Sequence, residues 1–291
     1  MTPPGGETRR IALQPNPMKS IHHRLIVPMQ ARGNVGKSTI LGVIAGWLEQ
    51  GGIEWHGFDL DPDHRSFARL FPENVALAPL GDEPEGDLIK LLRGCAGLPV
   101  TVIDPRAHLR EILIRGFEMI RFPETFAEAD GRITVLLFPA DDLEVMTDID
   151  QTVSRLGGTV DYIVVKNQAR APRTRMFDGS ELEGELQALG AEVLEFPALL
   201  SIARNHLAAL EADLGRGVCH AEAVMNLELP LDSLVRMVIE DWLKGLFKKF
   251  DRLAEKLLPT ELAAGFDASQ VPPPAASIAV RRGAKINRGN L

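Results

Sequence analysis

The sequence predicts an α/β protein built on a doubly wound, mostly parallel sheet with helices on both faces. Three observations predict this fold. Apolar runs of strand length alternate with helix-like segments through residues 21–214. A glycine-containing turn joins the first strand to the first helix, and carboxylate or amide side chains follow several later strands. We therefore expect a three-layer domain over 21–230, followed by a C-terminal helical extension.

The first strand and helix flank a turn that is suited to binding phosphate. Residues 25–29 are apolar and β-branched, as in a buried strand, and Gly33, Asn34 and Gly36 tolerate positive φ in the turn that follows. Lys37 then opens the helix. Successive backbone N–H groups in such a turn surround phosphate oxygens, and the helix N-terminus adds partial positive charge. The segment therefore predicts a phosphate-binding loop.

The side chains that open this helix suit a nucleoside triphosphate with its metal ion. Lys37 would reach the β- and γ-phosphates, and the Ser38 hydroxyl would ligate Mg²⁺. Thr39 could donate to the α-phosphate, and a side chain at Gly36 would stand where phosphate must approach. The alternative is a glycine turn that merely precedes a core helix.

The remaining elements follow from apolar periodicity and from glycine and proline breaks. Further strands are predicted at 53–58, 74–80, 98–104, 133–139, 160–167 and 192–196. Helices are predicted at 108–121, 142–156, 181–189 and 199–214, with a loop at 123–131.

Polar side chains close three of these strands. Asp59 and Asp61 come after the second strand, Asp104 ends the strand at 98–104, and Asn167 ends the strand at 160–167. Carboxylates just past the carboxyl ends of parallel strands face the ligand crevice. Asp104 has the form of a Walker B aspartate, which holds a magnesium-bound water. The alternatives are an acidic turn that caps the next helix and an asparagine that closes a strand.

Residues 32–38 resemble the deviant Walker A motif of the ParA/MinD ATPase family, K-G-G-x-G-K-[ST]. Arg32 stands where the family has its signature lysine, and Asn34 stands at the second glycine. The string Asp59 to Asp63 resembles the family's D-x-D-P segment. The resemblance spans roughly two-thirds of the chain and implies a Rossmann-like P-loop NTPase fold.

The resemblance also implies site residues. Asp61 would orient the attacking water, Asp59 would lie near Mg²⁺, and Asn167 would recognise adenine. The catalytic set would be Arg32, Lys37 and Asp61. The nucleotide would contact Arg32, Gly33, Asn34, Val35, Gly36, Lys37, Ser38, Thr39, Asn167 and Pro197. The magnesium ligands would be Ser38, Asp59, Asp61 and Asp104.

The family resemblance further implies ATP as the nucleotide and a homodimer that forms around it. The guanine-specific string N-K-x-D is absent, because Asn167 is followed by Gln168, Ala169 and Arg170, so ATP is favoured over GTP. Arg32 keeps the charge of the signature lysine, which in the family reaches the partner subunit's nucleotide. Such ATPases hydrolyse ATP to position DNA, plasmids or other cargo, so DNA or protein is the expected further partner.

Two other functions stay open from the residues alone. A P-loop kinase acting on a small molecule would need an arginine-bearing lid, which Arg106 or the 170–175 loop could supply. A nucleotide-binding scaffold with negligible hydrolysis is also compatible with the two departures in the loop.

Composition narrows the class of protein. The net charge of −8 argues against a uniformly basic nucleic-acid binder. Cys95 and Cys219 form no C-x-x-C pair, which indicates two reduced thiols and a cytoplasmic protein. No apolar run approaches the roughly 18 residues of a membrane span.

The ends of the chain differ in composition from the middle. Residues 1–20 are expected to form a flexible lead-in, and 259–291 a disordered basic tail. Between them, 231–258 has the periodicity of an amphipathic helix. Docking of this helix on protein is favoured over a membrane-surface role, because acids are mixed with its lysines.

Overall fold

A computed structural model describes residues 20–95 and 97–267, which form one seven-stranded sheet. The strands are β1 His23–Pro28, β2 Trp55–Asp59, β3 Val75–Leu77, β4 Val100–Asp104, β5 Gly131–Leu137, β6 Asp161–Asn167 and β7 Glu192–Phe196. They lie in the order β3-β2-β4-β1-β5-β6-β7, and every pairing is parallel. The predicted fold class is confirmed.

The sheet is doubly wound about its central strand. β1 lies between β4 and β5, so the chain first builds one half of the sheet and then crosses over to build the other. Ligands of open parallel sheets bind at the carboxyl ends of the strands, at the point where the order reverses. The loop that follows β1 occupies this point.

Twelve helices cover the two faces of the sheet in the residues that the structure describes. They are α1 Lys37–Gln50, α2 Ser66–Leu70, α3 Pro84–Cys95, α4 Arg110–Met119, α5 Phe122–Glu128, α6 Leu143–Leu156, α7 Glu181–Ala188, α8 Ser201–Leu214, α9 His220–Met225, α10 Ser233–Arg252, α11 Ala254–Leu257 and α12 Thr260–Ala263. One core cluster joins the sheet to α1, α8, α9 and α10, and the other joins it to α3, α4, α5, α6 and α7.

The amphipathic C-terminal segment packs on protein, as the docking interpretation predicts. The buried face of α10 carries Val235, Ile239, Leu243, Leu246, Phe247 and Phe250, and all of them belong to the core cluster that also contains α1. Within the described ranges, no helix has both the length and the apolar character needed to cross a bilayer.

A buried arginine connects the C-terminal segment, at α11, to the amino-terminal ends of β1 and β6. The Arg24 guanidinium, on β1, donates to Asp161 at 2.6 Å and to the Glu255 carbonyl at 2.6 Å. Its side chain is 0% exposed, and Thr134 donates to the Lys256 carbonyl beside it. Buried charges of this kind are stabilising only when paired and hydrogen-bonded, as Arg24 is.

Three local predictions differ from the structure. The stretch predicted as a loop at 123–131 contains α5, whose early Pro123 suits the first turn of a helix. The short helix α9 was not predicted at all. The single helix predicted over 231–258 ends at Arg252 and resumes as α11. The disordered tail predicted from residue 259 is a further difference, because its first residues form α12 and Phe266 packs against the Trp47 ring. The predictions for residues 1–19 and 268–291 lie outside the described residues.

Candidate phosphate-binding site

The loop between β1 and α1 has the left-handed conformations that its sequence predicts. Asn34 has φ of 60°, and Gly36, which precedes the helix, has φ of 94° and ψ of 21°. Gly36 is crowded as well, because a Cβ there would lie 2.4 Å from Nδ2 of Asn167. Only glycine satisfies both conditions without strain.

Three hydrogen bonds hold this loop in place. Lys37 Nζ donates to the Arg32 carbonyl at 3.2 Å, and Asn167 Nδ2 donates to the Val35 carbonyl at 2.8 Å. The His108 amide donates to the Ala31 carbonyl at 2.9 Å. The loop is therefore tied to its own helix, to the last residue of β6 and to the segment that follows β4.

Ser38, Lys37 and Asp104 lie close together beneath the loop, and their assignment to a Walker A and Walker B pair stays a prediction. The Ser38 hydroxyl lies close enough to the Asp104 carboxylate to favour its ionised form. Burial raises the pKa of Asp104 to about 7, and the neighbouring Asp59 adds to this effect, whereas Ser38 and Lys37 oppose it. Burial lowers the pKa of Lys37, against the attraction of Asp104 and Asp61. A bound cation would relieve the buried carboxylate.

The two aspartates after β2 have different roles in the structure. Asp59 is 0% exposed; its Oδ1 accepts from the Asp61 amide and its Oδ2 from the Phe67 and Ala68 amides. It therefore anchors the start of α2, and its predicted place near magnesium stays a prediction. Asp59 and Asp104 lie opposite each other in the register of β2 and β4.

Asp61 lies at the mouth of the site. Its Oδ1 accepts from the amides of Asp63 and His64, and its Oδ2 lies 3.2 Å from the His64 ring. Burial acts to raise the pKa of Asp61, but these backbone and histidine contacts outweigh it and lower the pKa. Asp61 is thus an ionised group beside Lys37 at neutral pH.

Arg32, at the position of the signature lysine, extends away from Lys37. Its side chain is about half exposed and pairs with Asp142, the residue that caps α6. Together they border a side cleft of about 540 Å³ on the β5 flank of the loop. The side cleft is lined by residues 32–35, 138–142, 167 and 170–173.

The main cleft, of about 720 Å³, lies on the other flank of the loop. Its floor includes Gly36, Lys37, Ser38, Thr39 and Asp104. Its walls come from α2, α8 and the segment 217–220. The cations around it are Lys37, Arg69, Arg106, Arg170 and Arg204. A cleft with backbone amides, a lysine and four arginines favours a polyphosphate ligand.

Contacts between backbone segments set the shape of the main cleft. A Cβ at Gly217 would lie 2.8 Å from the Arg69 carbonyl oxygen, so the segment 217–220 touches the backbone of α2. Glu211, on α8, accepts from the Val218 amide at 2.9 Å. These two contacts hold the segment 217–220 against α2 and α8, which line the same cleft.

Trp242, on α10, packs against His220, which belongs to the segment 217–220 that lines the main cleft. Its ring lies 5.0 Å from the ring of His220 and 5.5 Å from that of Phe196, centroid to centroid. Its Nε1 donates to the Pro197 carbonyl at 2.9 Å. The C-terminal helix therefore contacts the residues behind the candidate site.

The structure brings together most, but not all, of the predicted site residues. Gly33, Asn34, Gly36, Lys37, Ser38, Thr39, Asp61 and Asp104 line the main cleft. Arg32, Val35 and Asn167 line the side cleft. Pro197 lines neither cleft. Sequence reasoning missed Arg204, Glu211, Val218 and His220, because no motif marks α8 or the short α9.

The donor set fits magnesium held jointly with a phosphate. Mg²⁺ takes oxygen ligands and is commonly bound by one or two protein oxygens plus phosphates and water. Ser38 and Asp104 supply such oxygens, and they lie close enough for Ser38 to lower the pKa of Asp104. No cluster of three or more His, Cys, Asp or Glu residues suited to a metal occurs among residues 20–95 and 97–267.

The strand order and the loop define a P-loop NTPase fold, and solved structures of this class resemble the chain. MinD from Aquifex aeolicus is 15% identical, with 77% of this chain and 97% of that chain covered and a TM-score of 0.38. FtsY from Elizabethkingia anophelis, in complex with GDP, is 14% identical, with 62% and 59% covered and a TM-score of 0.42.

FlhF complexed with GMPPNP and Mg²⁺ is also similar, at 14% identity, with 60% of this chain and 66% of that chain covered and a TM-score of 0.32. This chain spans about three-fifths of the FtsY chain. No family model matches the sequence, and no curated protein matches it. The likeness concerns the fold alone, and the class stands on the strand order and the loop geometry.

Proposed function

We propose that the protein binds Mg·ATP in the main cleft, dimerises with it and hydrolyses it. The observation that carries this proposal is the convergence of a left-handed glycine loop, Lys37 and the Ser38–Asp104 pair at the switch point of the sheet. Phosphoryl transfer depends on positioning and charge neutralisation, and this arrangement supplies both.

Each group has a defined task in that reaction. The amides of the loop and Lys37 would hold the β- and γ-phosphates. Ser38 and Asp104 would hold magnesium through their oxygen atoms and through a water bound to the metal. Asp61, which is ionised and stands beside Lys37, would place the attacking water. A water attacks the γ-phosphorus as the β–γ bridging bond breaks, giving ADP, phosphate and a proton.

ATP is favoured over GTP by the residue three positions after Asn167. Arg170 stands there and lines the main cleft. A guanidinium only donates hydrogen bonds, so it cannot accept from the N–H groups of guanine.

The proposed biological role is positioning or partition of DNA, plasmid or other cargo by a nucleotide-controlled homodimer. Support comes from the motif resemblance and from Arg32, whose exposed side chain borders the side cleft rather than the main cleft. Arg32 is thus available to a second copy of the chain once its pair with Asp142 opens.

Titration calorimetry with Mg·ATP and phosphate release test the binding and hydrolysis directly. Wild-type protein should bind Mg·ATP and release phosphate, and Lys37→Ala should lose both. Lys90→Ala, an exposed lysine on α3 paired with Asp87, is the matched control and should behave as wild type. Absence of binding heat from wild-type protein would overturn the proposal.

The dimer is tested by measuring the mass of the particle with Mg·ATP and with Mg·ADP. Doubling with ATP alone, lost in Arg32→Ala, supports a role of Arg32 across the interface. A monomer under every condition would refute the dimer, and an unchanged ATPase rate on adding DNA would argue against DNA as the cargo.

A nucleotide-binding switch with negligible hydrolysis is the second candidate, because Asp61 is already fully engaged. Both of its oxygens contact neighbours within residues 63–64. A carboxylate so occupied has to exchange partners before it can orient water. Tight Mg·ATP binding without phosphate release, unaltered in Asp61→Ala, would favour this function.

A further inference from the structure

We propose that Gln30 is a positioning residue of the phosphate loop, which takes over the Arg32 carbonyl from Lys37 when phosphate binds. The inference deepens the proposed nucleotide binding and rests on it. Gln30 precedes the motif at 32–38 and lines neither cleft, so it adds to the site a residue that contacts no ligand itself.

Gln30 is a buried polar residue whose side chain is not satisfied. It is 1% exposed, and neither its Nε2 nor its Oε1 has a hydrogen-bond partner among residues 20–95 and 97–267. Such an amide costs free energy, because both of its polar groups have lost water and gained nothing in return. A second arrangement of the site, in which the amide is bonded, would account for its presence.

The backbone on both sides of Gln30 is held, so its side chain is the part that can change partners. The Met29 amide continues the β1–β5 ladder by donating to the Leu136 carbonyl at 3.1 Å, and the Ala31 carbonyl accepts from the His108 amide. Met29 packs in the core cluster that α3 to α7 cover. Because side chains alternate along a strand, Gln30 faces the other side of the sheet, on which α1 lies.

The three hydrogen bonds that hold the loop respond differently to phosphate. The donors to the Ala31 and Val35 carbonyls are a backbone amide and the Asn167 side-chain amide, which are both neutral. The donor to the Arg32 carbonyl is the ammonium of Lys37, at 3.2 Å. A polyphosphate attracts this ammonium by its charge, so the Arg32 carbonyl is the one that loses its donor.

Gln30 is placed to replace that donor. Lys37 is 7% exposed and donates to the loop, so its ammonium has to leave the Arg32 carbonyl to meet a phosphate. The Cα atoms of Gln30 and Arg32 are at most about 7 Å apart, because two residues separate them. When Gln30 Nε2 donates to the vacated carbonyl, the amide and the carbonyl are both satisfied, and the loop is held in its loaded form.

Gln30→Met tests this exchange, because methionine has a similar size and no amide. Without nucleotide, removal of the unpaired amide should raise the urea midpoint of unfolding by about 0.3 M. Binding of Mg·ATP and of Mg·tripolyphosphate should each weaken roughly fivefold, which corresponds to one hydrogen bond formed on binding. A merely structural role of Gln30 would not give a more stable protein that binds more weakly. Gln187→Met, the same change at an exposed position on α7, should leave the midpoint and both affinities unchanged.

A Lys37→Met background tests the competition for the Arg32 carbonyl without any ligand. With the ammonium gone, Gln30 can bond the carbonyl in the free protein. Gln30→Met should then lower the urea midpoint in this background, whereas it raises the midpoint in the wild-type background. An equal rise in both backgrounds would overturn the exchange.

Two further outcomes would overturn the inference. A lower midpoint of Gln30→Met in the wild-type background would show that the amide is already bonded in the free protein. A higher midpoint with unchanged affinity for both ligands would show that Gln30 has no part in binding, and the proposed nucleotide binding would survive. Failure of wild-type protein to bind either Mg·ATP or Mg·tripolyphosphate would instead refute the proposed function.

Discussion

Replacement of Gly36 by alanine tests whether the phosphate loop is held by its tie to β6. Gly36 has φ of 94°, which costs an alanine roughly 1–2 kcal/mol relative to glycine. The added Cβ would also lie 2.4 Å from Asn167 Nδ2, so the amide must move and release the Val35 carbonyl. Loss of that hydrogen bond adds about 1 kcal/mol.

The free energy of unfolding of Gly36→Ala should therefore fall by about 2–3 kcal/mol in the absence of nucleotide. In an Asn167→Ala background the steric conflict is gone, so the same substitution should cost only the backbone term. The two residues should thus couple by about 1 kcal/mol in a double-mutant cycle. Urea unfolding monitored by circular dichroism measures all four proteins.

Gly52→Ala is the matched control. Gly52 also has positive φ, at 65°, but a Cβ there meets nothing within 4 Å. It should show the backbone cost alone and no coupling to Asn167. A loss of stability in Gly36→Ala no greater than in Gly52→Ala, or additive values in the cycle, would show that the Asn167 contact does not hold the loop.

Two further predictions concern the support around the site. Arg24→Met should lower the free energy of unfolding by about 3 kcal/mol, since Asp161 and the carbonyls of Glu255 and Leu258 lose their buried donor. Arg132→Met, at a partly exposed partner of Asp161, should cost less. Equal losses would refute this ranking. Burial, together with the nearby Glu222, raises the pKa of Glu49 to about 7. Between its unfolded and folded pKa values, Glu49 is therefore protonated in the folded protein and ionised in the unfolded chain. Stability should decline from pH 5 to pH 8, and Glu49→Gln should remove part of that decline; parallel pH profiles would show that Glu49 is not responsible.

The sequence predicts best where local chemistry and topology agree. Ser38 and Asp104 are 66 positions apart in number, yet their meeting follows from two facts: one opens the helix after β1, and the other ends a parallel strand. The carboxyl ends of parallel strands share one edge of the sheet, which is why that meeting was predictable. The same logic placed Asp61 at the cleft.

What escaped prediction depends on long-range packing. α9 has six residues, too few to show a helical period, so His220 carried no signal although it lines the main cleft. Asn167 closes a strand as predicted, but its amide partner, the Val35 carbonyl, lies 132 positions away. Glu211 is one of several acids on an exposed helix face, and only the tertiary fold distinguishes it.

Gly217 sets the distance between α2 and the opposite wall of the main cleft. Gly217 packs against the carbonyl group of Arg69, which is a main-chain group. The distance between α2 and the opposite wall therefore depends mainly on backbone contact and little on the side chains of those segments. A β-carbon at position 217 would lie too close to that carbonyl and would push the two segments apart. A single added methyl group should therefore widen the entrance of the cleft and weaken the binding of every ligand in it.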